Sequence, residues 1–126
     1  MKKILFFAAL LMSLSTFAQT DKDVQFTSLK YSFGKIPKDK PVTTEFKFVN
    51  NSSKPLIIEN ATAECGCTSP EYSKAPVLKG KSGTIKVTYN AANEGQFTKK
   101  VTVKFANVAE PVILEISGEV NTKTGK

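Results

Sequence analysis

The chain has two cysteines, Cys65 and Cys67, separated only by Gly66 and followed by Thr68. They close an apolar, strand-like run from Pro55 to Glu64. Four chemistries are open to such a pair. Oxidised, it forms a small ring. Cysteines two apart in an extended strand have Cα atoms near the upper limit for a bridge, so the backbone must turn, and Gly66 permits that turn with Thr68 shaping it. So small a loop gains little stability, and the ring's passive role is to pin a strand end. Reduced and buried, the thiols are small hydrophobes. As a redox couple, a strained small-ring disulfide is more oxidising than a relaxed one. Gly66 leaves the sulfurs approachable, and Lys74 or Lys79 lowers a thiol pKa if the fold brings either near. As two thiolates, Cys65 and Cys67 offer a linear metal site for a soft ion such as Cu(I). Zinc would need two further ligands.

The remaining residue types narrow the chemistry. There is no His and no Trp. Without His there is no Ser-His-Asp or Cys-His nucleophile, no usual zinc catalytic site and no near-neutral general base. No catalytic residue is assigned, and no cofactor beyond the Cu(I) alternative. Glu59, Glu64 and Glu71 flank the cysteines, and solvated strand ends are the expectation for them. Asn50, Asn51 and Asn60 open glycan-acceptor patterns, which matter only in a glycosylating pathway. All 18 basic residues are Lys, and the formal net charge is +7. Nucleic-acid readers rely on the arginine fork, so no nucleic-acid partner is expected. Lysines alternate with apolar residues in Phe46-Lys47-Phe48 and Ile85-Lys86-Val87, as on a solvated sheet face.

The N-terminus has the form of a secretory signal. Lys2 and Lys3 precede an apolar stretch from Ile4 to Leu11, and Thr16-Phe17-Ala18 places small residues at a cleavage site. The expected division is a signal peptide at 1–18, one domain at 19–120 and a flexible tail at 121–126. No later run is long enough for a transmembrane helix. Export also puts the cysteines where thiols can be oxidised.

What must position them is a set of short alternating runs broken by turn residues. Val24 to Phe26 and Leu29 to Phe33 form a split first strand. Thr43 to Asn50 carries Phe46 and Phe48 on one face, and Leu56 and Ile58 oppose Ile57 in the next strand. An irregular stretch with Pro70 follows the cysteines. Thr84 to Tyr89, Gln96 to Phe105 and Pro111 to Val120 complete the pattern. The fold class is all-β, an immunoglobulin-like sandwich of about seven antiparallel strands.

Phe33-Gly34-Lys35-Ile36, Phe48-Val49-Asn50-Asn51 and Lys54-Pro55-Leu56-Ile57-Ile58 resemble the immunoglobulin-like domains of the ASPM/SPD-2/Hydin and major-sperm-protein type. Ala63-Glu64-Cys65-Gly66-Cys67-Thr68, with Gly83-Thr84-Ile85-Lys86-Val87-Thr88-Tyr89, is similar to an exported bacterial family labelled domain of unknown function 1573, common in Bacteroidetes. The resemblance implies a sandwich, export and no enzyme activity. The expectation is a non-catalytic interaction module, periplasmic or secreted in a Gram-negative bacterium, with a protein partner in the cell envelope. The alternative is a thiol–disulfide redox or Cu(I)-binding protein acting through Cys65 and Cys67.

Overall fold

The computed structural model describes residues 23–122. The expected signal peptide at 1–18 lies outside the described residues, as do 123–126 of the expected tail. Among the described residues eight strands follow in chain order: β1 (Val24–Phe26), β2 (Lys30–Pro37), β3 (Val42–Asn50), β4 (Ile58–Ala63), β5 (Thr68–Tyr72), β6 (Ser82–Tyr89), β7 (Gly95–Phe105) and β8 (Val112–Asn121). They form two four-stranded sheets, ordered β1-β3-β6-β5 and β2-β8-β7-β4. Among the described residues no helix is long and apolar enough to cross a membrane.

This is the expected all-β sandwich, although β2 runs past the expected end at Phe33 to Pro37 and two larger differences stand out. The two halves of the split first strand lie in different sheets. Thr27 N–H still bonds Lys47 O in the first sheet at 3.0 Å, and Leu29 O already accepts from Glu115 N in the second at 2.8 Å. The crossing is therefore made at Ser28. The chain keeps its heading there, so β2 pairs with β8 in parallel rather than antiparallel. The second difference is β5, which occupies the stretch expected to be irregular. Pro70 is tolerated because β5 is an edge strand. Asn90 N–H bonds Cys67 O, and the antiparallel alternation from there puts Pro70 in a non-hydrogen-bonded pair with Val87. Its missing N–H faces away from the sheet.

The period-two pattern builds the core. Phe46 and Phe48 of β3, Ile85, Val87 and Tyr89 of β6, and Val101, Val103 and Phe105 of β7 are all buried. Each such side chain contributes about 1.5–3 kcal/mol on burial. Phe48 meets Phe105 edge-on, with centroids 5.2 Å apart. At the other end of the sandwich, Tyr89 of one sheet stacks on Phe97 of the other at 3.9 Å. That is the end where the cysteines lie, since Tyr89 pairs with Thr68.

Candidate functional site

The β4–β5 connection joins an edge strand of one sheet to an edge strand of the other. It begins where β4 peels away from β7. Ala63 is still in register with Val101, and Glu64 N–H donates to Lys100 O at 3.2 Å. The return bond is not made to the backbone. Lys100 N–H donates instead to the Glu64 carboxylate, Oε1, at 3.0 Å. The side chain of Glu64 thus completes the last rung while its backbone turns out of the sheet.

Cys65 and Cys67 are joined by a disulfide, with Cα atoms 5.3 Å apart. The turn expected at Gly66 is present: Thr68 N–H reaches back to Cys65 O at 3.4 Å. Both cysteines are half-buried and Gly66 is exposed. A Cβ built on Gly66 would meet nothing within 4 Å, so the ring is open to approach on that side. Cys67 packs against the core. Thr68, only 4% exposed, lies beneath the ring. Its hydroxyl is 3.5 Å from Cys67 Sγ and 3.7 Å from Cys65 Sγ. Beyond shaping the turn, as its position in the sequence implies, Thr68 sets its hydroxyl against both sulfurs, a contact that only the fold reveals.

The fold brings neither expected lysine to the ring. Lys79 lies by Gly80, whose N–H bonds Asn50 O near the Ser82 end of β6, whereas Thr68 pairs at the Tyr89 end. Eight extended residues separate those ends by roughly 20 Å. Lys74 follows the far end of β5. The cations that strand pairing brings to the start of the loop are on β7, where Glu64 meets Lys100 and the half-buried Lys99 is next along the strand. Only strand pairing reveals this, because Glu64 and Lys100 are remote in sequence.

The flanking acids do not gather. Glu64 serves the Lys100 N–H, Glu59 pairs with Lys104 at 3.4 Å, and Glu71 stands opposite Lys86. Among the described residues no group of three or more Cys, Asp or Glu side chains is placed to hold a metal ion. In its disulfide form the Cys65–Cys67 pair presents no thiolate, so Cu(I) binding would require the reduced chain. Of the glycan-pattern asparagines, Asn50 is fully buried, and both of its amide hydrogens are bonded to carbonyls.

The departure of β4 has a second effect. Along β7, even-numbered residues point their backbone groups toward β4, as Lys100 shows. Below Lys100 that neighbour has gone. Among the described residues, no hydrogen bond meets the N–H and C=O groups of Gln96 and Thr98, which line a half-strand of open sheet edge beside the ring. On their other side these residues keep unbroken register with β8. A shallow depression of about 300 Å³ adjoins them on the outer face, lined in part by Ser32, Lys35 and Glu119.

Sequence comparison matches residues 24–120 to a family described as protein of unknown function (DUF1573). No curated protein matches the chain. Among solved structures it resembles a protein of unknown function from Porphyromonas gingivalis W83, with TM-score 0.66, 11% identity, and 76% of this chain against 46% of that one. It also resembles PapD-like domain 7, an ASH domain, of human CEP192, with TM-score 0.65, 7% identity, and coverage of 80% and 87%. The YadV chaperone follows at TM-score 0.58 and 12% identity, covering 82% and 55%. The chain thus spans about half the length of the Porphyromonas protein. Likeness at these identities establishes the shared immunoglobulin-like, PapD-like fold.

Proposed function

The chain belongs to the DUF1573 family, and from that footing we propose that it is a non-catalytic binding module of the cell envelope that captures an extended protein segment by strand addition. The observation that carries this is the open half-strand of β7. Gln96 and Thr98 each offer a donor and an acceptor in the geometry of an unfinished ladder. A segment laid there gains main-chain hydrogen bonds, and its alternate side chains face the outer depression. Lysines on the exposed faces limit indiscriminate edge pairing. Export is part of the reading, supported by the charged and apolar N-terminal pattern ending at Ala18. A chaperone among the proteins of like fold is consistent with a binding role.

The test is Thr98→Pro. The Thr98 N–H points away from β8, so proline removes an outward donor and blocks the edge without breaking the β7–β8 ladder. The mature protein, immobilised and exposed to envelope extract, should retain a partner that Thr98→Pro loses. Equal capture by both proteins, or none by the wild type, contradicts the proposal.

A further inference from the structure

We infer that Cys65–Cys67 is a thiol–disulfide exchange site, accepting two electrons from a pair of cysteine thiols on an extended segment, with Thr68 stabilising the sulfur that is released. How the segment is held rests on the edge-binding reading; the chemistry of the ring does not.

Thr68 is buried, its hydroxyl requires a partner, and among the described residues the polar groups it meets are the two sulfurs. Valine would fill the same space with no polar atom to satisfy. A disulfide sulfur is a weak acceptor, whereas a thiolate accepts a charge-assisted hydrogen bond about twice as strong as a neutral one. The Thr68 hydroxyl therefore favours the opened ring over the closed one, which makes the pair more oxidising. The ring is reachable, because Gly66 is exposed with open space around it. It is also adjacent to the open edge at Gln96 and Thr98. Cys67 packs on the core and lies nearer the hydroxyl, so Cys65 is the sulfur attacked and Cys67 the one that leaves. Beside the ring, Glu64 precedes it on its own segment and bonds Lys100 of β7, which Lys99 adjoins; on the first sheet Asn90 N–H bonds Cys67 O and Tyr89 pairs with Thr68.

The step balances within the two chains. A thiolate of the segment attacks Cys65 Sγ, forming a mixed disulfide and breaking the Cys65–Cys67 bond. Cys67 Sγ leaves as a thiolate held by the Thr68 hydroxyl, then takes a proton from solvent. A second thiol of the segment loses its proton to solvent and attacks the segment sulfur of the mixed disulfide, releasing Cys65 as a thiolate that is protonated in turn. The segment's two thiols become a disulfide, and Cys65–Cys67 becomes a dithiol. Each chain acts once.

The probes are a synthetic strand-forming peptide with two cysteines, and dithiothreitol as a small dithiol, each mixed with oxidised mature protein in single turnover. Thr68→Val should slow exchange with both about tenfold, the loss of one hydrogen bond to a charged group. Alkylation of its reduced form should titrate about one pH unit higher than the wild type. Thr68→Ser, which keeps the hydroxyl, should restore both. If Thr68→Val matches the wild type in rate and titration, the inference is overturned. Thr98→Pro should lower the peptide rate relative to the dithiothreitol rate. If it does not, while Thr68→Val still slows both, the exchange site stands and the edge reading fails. Should Thr68→Val not fold, Cys67→Ser decides: its lone Cys65 must form a mixed disulfide with the oxidised peptide, and failure to do so overturns the inference.

Discussion

Asn50 shows how much one side chain carries in this fold. It is fully buried at the end of β3. Its amide donates to Lys54 O at 2.7 Å and Val77 O at 2.8 Å, and its carbonyl accepts from Ser52 N–H and the Ser52 hydroxyl. Its backbone also bonds Lys81 O and Gly80 N–H. One residue thus ties the β3–β4 and β5–β6 loops together. Asn50→Ala would remove two donors and leave Ser52 N–H without its acceptor, while Val77 O keeps Leu56 N–H and Lys54 O keeps the Ser52 hydroxyl, so chemical denaturation should show a loss of about 1–3 kcal/mol. In the sequence Asn50 opens a polar loop and a glycan-acceptor pattern, and nothing local marks it as buried. Its burial depends on where the distant Val77 segment packs. Thr68 was harder to read for the same reason, since only the pairing of β5 with β6 reveals what lies under the ring.

At the scale of elements, the chain closes each flank of the sandwich by switching sheets. On one side Ser28 makes the switch, and on the other Glu64 to Cys67. The second switch carries the disulfide, yet the pair closes a loop with a sequence separation of only 2. Chain entropy assigns so small a loop roughly 1.5 kcal/mol. Cys65→Ser/Cys67→Ser should therefore remain folded with a stability loss below about 2 kcal/mol, measured by urea denaturation. A loss of 4 kcal/mol or more would instead make the ring a staple. The alternating strands were legible because period two survives in Thr84 to Tyr89 and Gln96 to Phe105. β5 was not, because Pro70 argues against a strand unless it is known to lie at an edge. The open edge was equally hidden, since it exists only because β4 ends at Ala63 while β7 continues to Gly95.

For the molecule as a whole, the apolar core and the sheet ladders outweigh charge. The ion pairs Lys30–Glu115 and Lys104–Glu59 lie at the surface, where such pairs are worth about 0–1 kcal/mol. Lys86 stands in register between Glu45 and Glu71 on the outer face of the first sheet, the solvated face that the alternating lysines implied. Strand addition requires the second sheet to be unfinished at the ring end. Amide hydrogen exchange, followed residue by residue by NMR on the free mature protein, tests this most directly. Phe97 and Lys99, facing β8, and Lys100 to Val103 should exchange slowly, while Gln96 and Thr98 exchange fast. Protection of Gln96 and Thr98 equal to that of Val101 would mean the edge is already occupied, and would contradict strand addition there.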